Sequence, residues 1–183
     1  MTFDSAMDEL AAAEAATLVD LESYLATVSA GAADAAAEAA GIERALQSTL
    51  GGRLGERLAV QSLACMFQGS MREIKWVNEA AEQFLPYDVT IELTDGSKKY
   101  CEVKSRVVTE RAPGPRRQWL VSPQEVASAV QQGRGYFACC IAVRVRYSQG
   151  RVRVAGAEGV TVGRDAGLVN AIRQQQAQLV LQI

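Results

Sequence analysis

Asp88-Val89-Thr90-Ile91-Glu92-Leu93-Thr94-Asp95-Gly96-Ser97-Lys98-Lys99-Tyr100-Cys101-Glu102-Val103-Lys104 reads as two β-strands and a turn. The first strand runs from Asp88 to Leu93 and the second from Lys99 to Val103, with the turn signal at Thr94-Asp95-Gly96-Ser97. Successive side chains on a strand take opposite faces, so Glu102 and Lys104 share one face and Cys101 and Val103 the other. The short connection predicts a hairpin, which brings Asp88 towards the Glu102–Lys104 face. Apolar neighbours on the opposite face predict a strand well inside a sheet, where charges need a purpose. Two carboxylates beside one ammonium can hold a divalent cation and stabilise an anionic phosphoryl centre. The plainer alternatives are an aspartate turning the chain after Pro86-Tyr87 and a solvent-facing ion-pair ladder at Glu102 and Lys104.

Outward from the hairpin, the patterning predicts an α/β domain with a mixed central β-sheet flanked by helices. A helix is expected over 53–67, with Leu54, Leu58, Leu63 and Phe67 turned to the core and Glu56 and Arg57 alongside. A strand-like run at Glu73–Asn78 leads to the hairpin. Pro113-Gly114-Pro115 makes a loop and Gln118–Val121 a short strand. Ser122-Pro123-Gln124-Glu125 opens a helix to about Gln132, with Ser as N-cap, Pro at the first helical position and Glu closing a capping box. That box alone accounts for Glu125. Tyr136–Tyr147 reads as a buried strand, Val152–Ala155 as its antiparallel partner, Asp165–Gln175 as a helix and Gln178–Ile183 as an extended edge. The glycines at 51, 52 and 55 match no phosphate-loop pattern and read as close packing or a helix start.

Residues 1–50 differ sharply in composition. They are alanine-rich, with Leu18, Leu21, Leu25 and Val28 at helical spacing. They form an expected helical extension, set off from a 51–183 domain near Gly51-Gly52, that can pair with its own copy or with a protein partner. They hold nine acids and one base, whereas residues 98–153 hold twelve bases and three acids. A basic block of this kind suits a polyphosphate backbone. Arg106, Arg111, Arg116 and Arg117 are the nearest candidates for nucleic-acid contacts.

Histidine is absent, which removes serine–histidine and cysteine–histidine nucleophiles and histidine metal sites. Hydrolysis would have to use carboxylates, lysine and a hard metal. Cys65, Cys101, Cys139 and Cys140 lack metal-ligand spacing and read as buried free thiols in a reducing compartment. No apolar run approaches the ~20 residues of a membrane span, and the acidic start is unlike a signal peptide. The expectation is an intracellular protein, cytoplasmic or nuclear, neither membrane-bound nor secreted.

Five blocks then occur in one order: Gly52-Arg53-Leu54-Gly55-Glu56, Lys75-Trp76-Val77-Asn78-Glu79, Leu85-Pro86-Tyr87-Asp88-Val89, Glu102-Val103-Lys104-Ser105 and Ser122-Pro123-Gln124-Glu125. Together they resemble the NO VEIN C-terminal domain family. The tail Leu168-Val169 to Gln178-Leu179-Val180-Leu181 resembles that family's ending, so the likeness covers residues 51–183. The family is regarded as similar to the PD-(D/E)xK restriction-endonuclease-like superfamily. The resemblance implies a nuclease-type α/β fold, with Asp88 and Glu102 as ligands of Mg²⁺ or Mn²⁺ and Lys104 as the base that stabilises the transition state. It makes Glu56, on the helix before the sheet, a further acid. Pro-Tyr-Asp stands where the simplest pattern has Pro-Asp. The function expected is metal-dependent hydrolysis of DNA phosphodiesters, with the Val103 carbonyl as an additional metal ligand. The alternative is a catalytically inactive nuclease-like module that binds nucleic acid or a protein.

Overall fold

Helix, four strands, helix, two strands, helix and a last strand is the order that the patterning predicts beyond Gly52, and the computed structural model of the protein follows it. The structure describes residues 41, 47, 52–109, 118–148, 151–174 and 178–181. Apart from Gly41 and Gln47, the expected helical extension lies outside the described residues, as do the 113–115 loop and Arg111, Arg116 and Arg117. Helix α1 (Gly52–Met66) precedes strands β1 (Met71–Trp76), β2 (Val89–Leu93) and β3 (Lys98–Thr109). Strand β4 (Gln118–Val121) leads into helix α2 (Pro123–Gln132) and, through a 3₁₀ turn, into β5 (Tyr136–Ser148). Strand β6 (Arg151–Val162), helix α3 (Leu168–Arg173) and β7 (Gln178–Leu181) complete the order. Among the described residues no helix is long and apolar enough to cross a membrane.

The central sheet has the strand order β1-β2-β3-β5-β6. Its first three strands form an antiparallel meander. The β2–β3 turn is the expected one: Asp95 Oδ1 accepts the Ser97 N–H at 2.9 Å, and Gly96 takes φ +81°, a conformation glycine adopts without a Cβ clash. Helix α2 then carries the chain back, so β5 pairs parallel with β3, as a helical crossover requires. Strand β6 returns antiparallel along β5. Strands β4 and β7 pair parallel in a separate two-stranded sheet, so the C-terminal strand does not extend the central one.

The core lies in two layers. On one face, Leu54, Leu58, Ala59 and Leu63 of α1 pack on Val89, Ile91, Cys101, Val103, Val107 and alternate residues of β5. On the other, Val121, Ala129, Leu168 and Ala171 pack on Tyr136, Ala138 and Cys140. Burial on both faces explains why β5 reads as an unbroken apolar run. Gly55 lets α1 sit directly on β3, because a Cβ there would run into the Ser105 side chain. The close-packing reading of that glycine therefore holds.

Four expectations need correction. Strand β3 runs on to Thr109 instead of ending at Val103. Strand β6 reaches Val162 instead of ending near Ala155. Gly156 and Gly159 look like breakers, but Gly156 (φ +156°) faces a register shift at Arg144/Val145, and a Cβ on Gly159 would crowd Ile141. A bulged edge uses glycine in this way. Helix α3 starts at Leu168, not Asp165, because Gly163 and Gly167 at positive φ hold a turn before it. All four cysteines are free, but Cys65 is exposed while the other three are buried, since it lies off the apolar stripe of α1.

Candidate functional site

Strand β2 pairs with β3 only from Glu92↔Lys98 to Val89↔Cys101, whereas β3 continues to Thr109. One more bond, Asp88 N–H to the Cys101 carbonyl at 3.0 Å, closes the ladder. Beyond it the Asp88 side chain takes over: Oδ2 accepts the Val103 N–H at 2.8 Å. A strand residue's N–H and C=O point to the same side, so the Val103 carbonyl also faces the gap that β2 leaves. Asp88 is therefore both the end of one strand and the cap on the next.

Glu102 and Lys104 share the opposite face of β3 from the α1 core, as alternation predicts. Glu102 is buried. Lys104 Nζ donates to Glu102 Oε1 at 2.7 Å and to Glu125 Oε1 at 3.0 Å. Helix α2 presents Glu125 at this point, in the first turn above the sheet. Glu125 also closes the expected capping box, with Oε2 accepting the Ser122 N–H at 3.1 Å while Ser122 Oγ accepts the Glu125 N–H at 3.2 Å. The box does not exhaust this residue, because its second oxygen belongs to the site. Tyr136, at the head of β5, donates its hydroxyl to the Pro86 carbonyl and so fixes the Pro-Tyr-Asp entrance.

Glu56 pairs with neither Arg53 nor Arg57. Its Oε2 accepts the Trp76 indole N–H at 2.7 Å and a longer bond from Asn78 Nδ2 at 3.5 Å. The same Asn78 amide donates to Asp88 Oδ1 at 3.0 Å. Asn78 is buried and links the helix acid to the strand acid. Glu56 thus reaches the site through Asn78, a residue present in one of the quoted blocks to which the patterning assigned no role. A buried amide among acids is the signal that would have found it.

The electrostatics follow from this crowding. Burial raises the Asp88 carboxyl to about 6; the Val103 N–H pulls it down and the Glu56 charge pushes it up again. Burial, and then the charge of Asp88, raise Glu102 to about 8 despite the Lys104 ammonium. Burial acts against the charge on Lys104, but Glu102 and Glu125 outweigh it, and its pKa is raised. Its two carboxylate neighbours thus favour the charged form of Lys104. One ammonium faces Asp88, Glu102 and Glu125, which leaves the cluster short of positive charge.

Among the described residues no three carboxylates or thiols converge to cage a metal ion. Those residues form no closed calcium-type cage. The donor set is instead hard and sparse: two carboxylates, Asp88 and Glu102, and the Val103 carbonyl. Mg²⁺ is commonly held by one or two carboxylates while it keeps several waters, so the residues fit an open site of that kind.

Three described residues of the basic block take different places. Arg106 lies on the same face of β3 as Glu102 and Lys104 by alternation. Lys99 is used structurally, donating to the Arg164 carbonyl at 2.8 Å, and Arg144 pairs with Glu158 at 3.0 Å.

The family model described as Protein NO VEIN, C-terminal matches residues 55–153, which contain every side chain of this site. The chain belongs to that family. Protein NO VEIN-LIKE of Arabidopsis thaliana is 51% identical over 41 residues, 22% of this chain and 6% of that protein. Protein NO VEIN of the same plant is 46% identical over 43 residues, 24% of this chain and 2% of that protein. The chain spans only a small part of the length of these two relatives. The tail blocks at Leu168-Val169 and 178–181 lie beyond the residues that the NO VEIN C-terminal model matches.

Proposed function

We propose that this NO VEIN C-terminal domain, residues 51–183, is a Mg²⁺- or Mn²⁺-dependent phosphodiesterase of the PD-(D/E)xK type that acts on DNA. The supporting observation is the junction of Asp88 with Glu102-Val103-Lys104, made by the Val103 N–H on Asp88 and the Lys104 ammonium on Glu102. Asp88, Glu102 and the Val103 carbonyl would hold the cation, which when bound activates a water and polarises the scissile phosphate. Asn78 orients Asp88 by a bond from its amide, and Glu56 steadies that amide. Lys104, kept protonated between Glu102 and Glu125, offsets negative charge that builds on the phosphoryl oxygens. Arg106 contributes backbone contact that carries no sequence information. The test is hydrolysis of plasmid and linear DNA with Mg²⁺ or Mn²⁺ by wild type, Asp88→Ala and Lys104→Ala. Equal rates for the three proteins would remove the assignment.

A second reading is a nuclease-like module that binds nucleic acid or a protein partner without cutting. It is favoured by the engagement of Lys104 with two carboxylates and by the sparse donor set. A metal site should raise the melting temperature with Mg²⁺. No shift, together with salt-sensitive DNA binding, would support the binding module.

A further inference from the structure

We infer that the segment between β1 and β2 carries a nucleobase pocket that receives an unstacked base of the bound nucleic acid, with Phe84, outside the pocket lining but between its residues Gln83 and Leu85, as the exposed ring that stacks on that base. The inference rests on the nucleic-acid reading of the neighbouring site and assigns a ligand to a segment that this reading leaves idle.

A cavity of about 390 Å³ opens beside this segment, lined by Lys75, Trp76, Glu79, Gln83, Leu85 and Tyr87 among others. Its volume lies at the lower end of the ~300–1,000 Å³ typical of small-ligand pockets. Its lining mixes aromatic and aliphatic walls with an ammonium, a carboxylate and an amide. A base needs that combination, because it presents flat π-faces and a polar edge.

Phe84 is 84% exposed and Leu85 47%. Among the described residues Phe84 is the only non-glycine residue with positive φ, at +55°. A bulky side chain in that region is strained, and such outliers cluster at ligand contacts. The strain is held in place: the Phe84 N–H donates to Glu82 Oε1 at 3.1 Å. The fold therefore holds the Phe84 backbone at positive φ while its ring stands in water.

The segment sits at a fixed offset from the proposed chemistry. The Gln83 N–H donates to Asn78 Oδ1 at 3.1 Å, and Asn78 Nδ2 donates to Asp88 at 3.0 Å. Arg53 clamps the other side, donating to the Asn78 and Glu79 carbonyls at 3.3 and 2.9 Å. One amide thus holds both the pocket rim and the carboxylate, and Tyr87 lines the pocket next to Asp88 in sequence. A nucleotide flanking the phosphate at Asp88 would present its base to this segment.

The experiment uses the full chain in EDTA, which prevents turnover, with oligonucleotides carrying 2-aminopurine at successive positions. Wild type should change the fluorescence at one position on binding. Phe84→Ala should bind about tenfold more weakly and lose that change, Phe84→Leu should behave like Phe84→Ala, and Phe84→Tyr should retain both properties. The exposure of Phe84 makes folding of these variants straightforward to verify by melting temperature, and the Phe84→Tyr result holds whether or not Phe84→Ala folds. Fluorescence and affinity unchanged in Phe84→Leu would overturn the pocket, even if wild type cleaves DNA with Mg²⁺. A positional signal lost in Phe84→Leu, from a protein that never cleaves, would uphold the pocket and remove the nuclease assignment. Absence of DNA binding by wild type would overturn both, and would leave the exposed Phe84 to a protein partner.

Discussion

Glu125 Oε1 lies 3.0 Å from Lys104 Nζ, while the other carboxylate oxygen of Glu125 closes its own helix. One side chain thus fixes the start of α2 and ties it to the centre of the sheet. Truncation by Glu125→Ala should lower stability by about 1–2 kcal/mol, from loss of the cap arm and of a charged hydrogen bond. Glu125→Gln keeps the cap arm and should lose about half as much. Urea unfolding at pH 7 measures both, and an unchanged stability in Glu125→Gln would show that the lysine contact contributes nothing.

The pH dependence of stability follows from the Asp88–Glu102 pair. Both carboxyls are raised by burial, Asp88 to about 6 and Glu102 to about 8, and they titrate as a linked pair. In the unfolded chain carboxyls ionise near pH 4. Between about pH 4 and 8 the native state therefore binds more protons, and stability falls as pH rises. The chain has no histidine to oppose this trend. With metal removed by EDTA, the protein should be more stable at pH 5.5 than at pH 8.5, by on the order of 1–3 kcal/mol after allowance for residual solvent screening. Asp88→Asn should flatten the slope. A melting temperature that climbs with pH in wild type would contradict the argument.

Asn78 makes its contacts from a buried position, so its loss leaves partners unsatisfied. Asn78→Ala should cost about 2–3 kcal/mol, read by chemical denaturation. Asn78→Asp keeps the shape but sets a third carboxylate against Asp88 and Glu56. Its extra cost should appear at pH 8.5 and shrink at pH 5.5. A deficit independent of pH would mean that shape alone matters there.

The contact between α1 and β3 makes a steric prediction. Gly55→Ala places a Cβ on the Ser105 side chain and should destabilise by about 1–3 kcal/mol. Ser105→Gly in the same chain should recover part of the loss. No recovery in the double variant would place the strain elsewhere.

The hairpin, the faces of Glu102 and Lys104, and the start of α2 were legible in the sequence because each depends on near neighbours. Period-two alternation places Glu102 opposite Cys101, turn chemistry picks out Asp95-Gly96, and the capping box needs only four residues. What escaped depends on distant packing. Gly159 looks like a strand breaker until Ile141 is beside it. Glu125 looks complete as a cap until the fold delivers Lys104. Asn78 carries no local pattern; its role exists only once Glu56 and Asp88, from a helix and a strand, arrive on either side of it. The metal-ligand candidates were legible as types and spacing, whereas their charge imbalance required the burial that the folded chain imposes.

The early end of β2 also gives the molecule two separate gauges on one strand edge. The Val103 amide is protected by Asp88, and the Val107 amide by Gln47 Oε1, whose own amide donates to the Ser105 carbonyl at 3.1 Å. Neither proton is guarded by a neighbouring strand on that side, so each should exchange with solvent when its single side-chain guard lifts. Hydrogen exchange at Val103 would then report the carboxylate cluster, and exchange at Val107 the chain just before α1. A ligand that acts on one and not the other would slow one amide and leave its neighbour four residues away unchanged.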